Sequence, residues 1–169
     1  MYIPSDDTFL LADCIKQYRG RQALEIGVGS GLLLGLLEKN FQSVAGSDID
    51  LRALEHCKDT SAAMLACCDA ASAFSGTFDL IVTNPPYLPD DQVRDTTVHG
   101  GPVGIELTIH FVKSAMPLLA RDGRMLFVVS SLADSSALDR LVIEKKMRNK
   151  VIKEKRLFYE TLSAVELSH

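Results

Sequence analysis

Four consecutive residues, Asn84-Pro85-Pro86-Tyr87, carry the most chemistry in this chain. Neither proline has a backbone N–H, so the turn presents mostly hydrogen-bond acceptors. The Asn84 side-chain oxygen and the nearby carbonyls, that of Pro85 among them, can grip a planar NH2 group by both hydrogens. Tyr87 offers a flat face to stack on the same group. Such a corner suits holding an amide or a nucleobase amine still while its nitrogen gains a substituent. The apolar run 78–83 just before it reads as a buried strand, which would place the corner at the strand's carboxyl end.

A second cluster says what the substituent is. Glu25-Ile26-Gly27-Val28-Gly29-Ser30-Gly31 lies between an apolar run and a leucine-rich one, as a strand–turn–helix would. Glycines there permit positive φ and a close approach of ligand to backbone. Asp48 ends the next apolar run, where a carboxylate can accept both hydrogen bonds of a ribose diol. A dinucleotide fingerprint needs glycine at the sixth place counted from Gly27, and that place is Leu32. The carboxylate of Glu25 would serve a pyrophosphate badly and a cationic ammonium and sulfonium well. The expected cofactor is therefore S-adenosylmethionine rather than NAD, with S-adenosylhomocysteine as product.

The elements that must position these residues alternate along the chain. Helices are expected over 6–17, 31–39, 51–59, 105–119 and 137–147, the fourth disturbed at its end by Pro117. Ser5 or Asp6 would cap the first, whose apolar stripe is Phe9, Leu10, Ala12 and Ile15. Strands are expected over 22–26, 43–46 (ending at Asp48), 63–68, 78–83 and 124–130. A turn is expected at Asp122-Gly123, and strands at 151–152 and 158–167 would close the chain as a hairpin joined by a basic turn. Alternation implies an α/β protein: a doubly wound, mostly parallel sheet with helices on both faces and a C-terminal antiparallel hairpin. The polar stretch 88–104 is long for a connection, as functional loops often are, and could close as a lid.

With 169 residues, 47% of them hydrophobic, the chain suits one domain with a sizeable core. Its net charge of −4 and pI near 5.5 argue against tight non-specific nucleic-acid binding, which rests on phosphate neutralisation. The basic run 145–156 reads as an exposed face. Cys14, Cys57, Cys67 and Cys68 include no C-x-x-C pair, and adjacent Cys67 and Cys68 would face opposite sides of a strand. They read as buried or half-buried thiols in a reducing cytosol, and no metal site is expected. No leader pattern and no membrane span is visible, so a cytoplasmic protein is expected. His99 and His110 are read as loop or core histidines, and Asp90 and Asp91 as solvated loop carboxylates.

The chain resembles class I S-adenosylmethionine-dependent methyltransferases with an Asn-Pro-Pro-Tyr motif, and among them the HemK-related release-factor glutamine methyltransferases of archaea and eukaryotes. The resemblance covers nearly the whole chain. It runs from Tyr2-Ile3-Pro4-Ser5-Asp6-Asp7-Thr8-Phe9-Leu10-Leu11 through 25–31, Ser47-Asp48-Ile49, Asn84 to Tyr87, and Gly100-Gly101 with Gly104 and Glu106, to Glu160-Thr161-Leu162-Ser163. It implies a Rossmann-like fold with a seven-stranded sheet. It implies cofactor contacts at Thr8, Glu25, Gly27, Gly29, Asp48, Asp69, Ala70 and Asn84, with Asp69 meeting the adenine amino group. Substrate contacts fall on Asn84, Pro85, Pro86, Tyr87 and Leu88. The implied substrate is the glutamine of the Gly-Gly-Gln loop of a class-1 release factor. A small zinc-binding activator subunit would dock at the sheet edge formed by 63–68. Two departures stand out: Ile105 where relatives often carry Arg, and the lack of a separate substrate-recognition domain.

Two other functions share part of this pattern. A nucleic-acid amino-methyltransferase acting on adenine N6, cytosine N4 or guanine N2 uses the same clamp, because the chemistry of a planar NH2 is alike. A non-catalytic cofactor-binding subunit would keep the glycine turn but has no need of Asn84 and Tyr87.

Overall fold

The computed structural model describes residues 3–89, 99–102 and 104–169. Its helices are α1 (Asp6–Ile15), α2 (Leu32–Asn40), α3 (Leu51–Lys58), α4 (Glu106–Ala115) and α5 (Ser136–Glu144). Its strands are β1 (Gly20–Ile26), β2 (Phe41–Asp48), β3 (Met64–Cys67), β4 (Phe78–Thr83), β5 (Leu88–Pro89), β6 (His99–Gly101), β7 (Leu119–Ser130), β8 (Arg148–Arg156) and β9 (Thr161–Ser168). Seven strands make one sheet in the order β3-β2-β1-β4-β7-β9-β8, and β5 pairs with β6 in a separate ladder. The five strands from β3 to β7 run parallel, and β9 is antiparallel to both of its neighbours.

The central strands carry apolar runs, Ala23-Leu24 in β1, 80–82 in β4 and 125–128 in β7, because both sheet faces are covered. Their side chains alternate strictly between two cores. Ala23, Leu80, Val82, Leu126 and Val128 pack with α1, α2 and α3 on one face. Leu24, Ile26, Ile81, Met125 and Phe127 pack with α4 and α5 on the other. Gly46 of β2 has no side chain to spare: a Cβ there would lie 2.6 Å from Val28 of the glycine turn and 3.1 Å from Leu34. That closeness seats the turn directly on the sheet.

Several local expectations are corrected. Phe9 is half exposed, and Leu11 and Cys14 take its place in the α1 stripe. Ser5 is the N-cap residue of α1, but its hydroxyl donates to Asp7 instead of capping a backbone amide. The turn at Asp122-Gly123 is an excursion within β7, where Phe78 pairs with Leu119 and Leu80 already pairs with Arg124. The hairpin turn is not basic: β8 extends over 148–156 instead of 151–152, and the turn is 157–160, while the basic residues lie on an exposed edge strand as their run suggested. Charged edges of this kind resist edge-to-edge association. Lys153 and Lys155 are moreover paired with Asp13 and Asp6. Cys67 is exposed rather than buried. Most of the candidate lid, with Asp90 and Asp91, lies outside the described residues. Among those described, no helix is long and apolar enough to cross a membrane.

Candidate active site

The carboxyl ends of β1, β2 and β4 meet where the strand order reverses, the usual place for a ligand crevice in a doubly wound sheet. A cavity of about 660 Å³ opens there. Thr8, Glu25, Gly27, Gly29, Asp48, Asp69, Ala70, Asn84, Pro85, Pro86 and Tyr87 all line it. Residues far apart in sequence are thus brought to one place. Of the expected site residues, Leu88 begins β5, where only the backbone is described.

The glycine turn wraps the mouth of β1. Gly27, Gly29 and Gly31 have φ of +79°, +47° and +76°, a region costly for residues with a Cβ, which accounts for the G-x-G-x-G spacing. Gly27 and Val28 donate their amides to the Ser47 carbonyl. Gly29 N donates to Asp48 Oδ2 at 3.0 Å, and Asp50 N donates to Asp48 Oδ1 at 2.9 Å. Both Asp48 oxygens are therefore held in place by backbone, with lone pairs left for a diol.

The opposite wall is set by the turn after β3. Ala70 has φ of +46°, unusual for alanine, and Ser47 Oγ donates to its carbonyl at 2.7 Å. Ala71 N donates to Ser114 Oγ of α4 at 3.0 Å. Asp69 bonds His110 Nε2 at 2.8 Å, on the exposed rim. His110 is therefore a rim residue beside the cavity and not a core histidine. Leu107 and Phe111, one turn apart on α4, also line the cavity; an added Cβ at Gly27 would lie 3.9 Å from the Phe111 ring. The reading of 105–119 as a core helix missed them, although their i, i+4 spacing marks a second apolar face. Ile105 is buried in the core, so that position serves packing.

Among the described residues that line this cavity, two buried polar atoms have no hydrogen-bond partner: Glu25 Oε2 and Asn84 Oδ1. Glu25 is 2% exposed. Burial, then the nearby Asp48 charge, push its carboxyl well above the ordinary 4.5, only partly offset by the Leu34 amide. Such a group calls for a cation. Asn84 stands just past β4, whose end is tied to β1 by Thr83 Oγ1 donating to the Ile26 carbonyl at 2.9 Å. Its Nδ2 donates to Thr8 Oγ1 at 3.3 Å, and its Oδ1 is buried without a partner among the described residues. Tyr87 is anchored by its hydroxyl, which donates to Asp7 Oδ2 at 2.9 Å. An acidic pocket beside a glycine turn and a diol-type carboxylate fits S-adenosylmethionine, whose amino acid end carries an ammonium and whose sulfur is cationic.

Fold and site together define a Rossmann-like methyltransferase. The sequence profile of the methyltransferase small domain family matches residues 6–160, and the chain belongs to that family, with S-adenosylmethionine as its cofactor. In structure it is similar to a chain of the E. cuniculi Mtq2–Trm112 complex, described as responsible for methylating the eRF1 translation termination factor. That likeness has a TM-score of 0.82 at 23% identity and covers 99% of this chain and 97% of the other. In sequence it is 29% identical over 144 residues to a Methanocaldococcus jannaschii protein assigned as a protein N5-glutamine methyltransferase. The match covers 78% of this chain and 73% of that one. It is 32% identical over 131 residues to a release factor glutamine methyltransferase of Deinococcus radiodurans, covering 66% of this chain and 46% of the relative. The chain spans less than half the length of the bacterial release factor enzymes it matches.

Proposed function

We propose that this methyltransferase acts on the side-chain amide nitrogen of a protein glutamine, and that the glutamine belongs to the Gly-Gly-Gln loop of a class-1 translation release factor. The observation that carries the reading is the buried, unpartnered Asn84 oxygen beside two prolines. An acceptor kept dry and unsatisfied is destabilising unless a donor arrives. The assignments of the relatives support glutamine as that donor.

S-adenosylmethionine, when bound, supplies a methyl group on a positively charged sulfur. Glu25 would hold its ammonium, Asp48 the ribose diol, and Asp69 with the Ala70 backbone the adenine end, while Thr8 and the backbone at Gly27 and Gly29 complete the enclosure. An amide nitrogen is a poor nucleophile, since its lone pair is delocalised into the carbonyl. Positioning must therefore supply much of the rate, and good orientation is worth about 7–11 kcal/mol. Asn84 Oδ1 and the Pro85 carbonyl accept from the two N–H bonds, which holds the nitrogen in place and favours a pyramidal form. Pro86, Tyr87 and Leu88 flank the amide, with the Tyr87 ring on its plane. The same two acceptors stabilise the positive charge that develops on the nitrogen. A proton leaves the nitrogen afterwards to solvent, so no strong base is required.

The test is mass spectrometry of a release factor after incubation with the purified protein and labelled cofactor. A single methyl on the Gly-Gly-Gln glutamine is expected, and methyl recovered in RNA or DNA instead would overturn the substrate. The pairing of Lys153 and Lys155 with Asp13 and Asp6 reduces the positive charge available to a nucleic acid. A separate expectation concerns the diol: Asp48→Ala should weaken cofactor binding about 10- to 100-fold, the worth of hydrogen bonds to a charged group. Titration calorimetry checks this, and an unchanged Kd would reject the assignment.

A small zinc-binding partner that continues the sheet at β3 belongs to the same proposal. β3 is an edge of only four residues, with Met64 63% exposed, and Ile49 of the β2–α3 connection and Leu51 at the start of α3 are exposed as well. A bare apolar edge favours pairing with another chain. Met64→Lys should then improve the solubility of the chain alone while abolishing any gain from a co-expressed partner. Equal behaviour of both forms in size-exclusion chromatography would dismiss the partner at this edge.

A further inference from the structure

We infer that Asp7 is a positioning residue that dictates which atom Asn84 presents to the substrate. The inference rests on the reading that the Asn84 oxygen receives the substrate nitrogen. Asp7 and Thr8 are both buried at the start of α1, an element distant in sequence from the Asn-Pro-Pro-Tyr corner. Asp7 Oδ1 accepts from Ser5 Oγ at 3.1 Å, from Thr8 N at 2.5 Å and from Thr8 Oγ1 at 3.1 Å. Asp7 Oδ2 accepts from the Tyr87 hydroxyl at 2.9 Å.

The consequence follows from counting hydrogens. An ionised carboxylate only accepts, and a hydroxyl has one proton to give. Thr8 spends that proton on Asp7, so towards Asn84 it can only accept. Asn84 must therefore turn its NH2 to Thr8, and its oxygen is left as the unpartnered acceptor of the amide. Were Thr8 free to donate, the amide could rotate by half a turn and satisfy its oxygen internally. The cavity would then meet the substrate NH2 with another NH2, and two donors repel. Through its second oxygen Asp7 also fixes the Tyr87 ring. One carboxylate thus orients both halves of the clamp, as outer-shell partners orient ligands in metal sites.

The experiment uses the full chain with asparagine labelled by nitrogen-15. The protein has three asparagines, Asn40, Asn84 and Asn149, so the side-chain spectrum is simple. Asp7→Ala and the isosteric Thr8→Val are compared with the wild type, the second keeping the test alive if the first fails to fold. The Asn84 NH2 signals should move and exchange faster with solvent in both variants, while those of Asn40 and Asn149 stay. On a release factor carrying its Gly-Gly-Gln loop, Asp7→Ala should lower kcat about 10- to 100-fold with a much smaller change in cofactor Kd. Unmoved Asn84 signals would overturn the inference, as would a loss of kcat matched by equal losses in cofactor affinity and Tm. Signals that move in the variants, with a wild type that methylates no release factor, would leave the relay standing and defeat the glutamine reading instead.

Discussion

Asn84→Ala is expected to lower kcat about 10²- to 10³-fold, the usual consequence of deleting one group that stabilises a developing charge. The loss should fall almost wholly on kcat. The Asn84 side chain lines the cavity, and its oxygen is buried with no partner among the described residues. Its deletion therefore breaks no internal bond of that oxygen and removes only what the substrate would use. The one internal bond lost is that from Nδ2 to Thr8 Oγ1. A neutral hydrogen bond contributes about 0.5–1.5 kcal/mol, so cofactor affinity should fall by about tenfold at most. Single-turnover kinetics with a release factor, alongside calorimetry with the cofactor, separate the two quantities. Turnover retained in full would defeat the clamp. Equal losses in kcat and cofactor affinity would recast Asn84 as a cofactor ligand.

Glu25→Gln should raise Tm while weakening cofactor binding roughly 30-fold or more, the order of effect when one partner of a buried charge pair is removed. The opposite signs share one cause. In the unliganded protein the Glu25 carboxyl is buried beside Asp48, and its pKa stands well above 4.5. A carboxyl raised in this way supports the folded state fully below its unfolded value, and that contribution is lost as pH rises through the folded value. Neutral glutamine never incurs the loss. Binding an ammonium reverses the preference, because the cation favours the carboxylate. Binding then releases a proton, and cofactor affinity should climb as pH rises towards the raised folded value and level off above it. Thermal denaturation across pH reads the first effect, and calorimetry in buffers of different ionisation heat reads the second. A glutamine variant that keeps cofactor affinity, or that melts lower at neutral pH, would remove Glu25 from this role.

Legibility followed the range of the interactions. The strand–turn–helix at 25–31 was readable because three glycines at positive φ are a local backbone requirement. The Asn-Pro-Pro-Tyr corner was readable because its lack of donors is a property of those residue types. Phe9 was misassigned because apolar character does not say which way a helix turns; only packing of α1 on the sheet exposed it. The basic segment was misassigned as a turn because β8, pairing on one side only, needs no apolar alternation to hold its place. His110, Leu107 and Phe111 were missed as site residues because α4 reaches the cavity only once the chain has crossed the sheet.

By itself, the order of residues determined the alternating elements, the glycine turn, the acidic ends of β1 and β2 and the acceptor-rich corner after β4, since each depends on backbone sterics or on periodicity over a few residues. Tertiary structure alone decided that Asp7 and Thr8 stand beside Asn84, that Glu25 is sealed from water, and which atom of the Asn84 amide is left without a partner. Hydrogen-bond direction and desolvation are properties of what surrounds a group, and most of those surroundings come from parts of the chain far away in sequence.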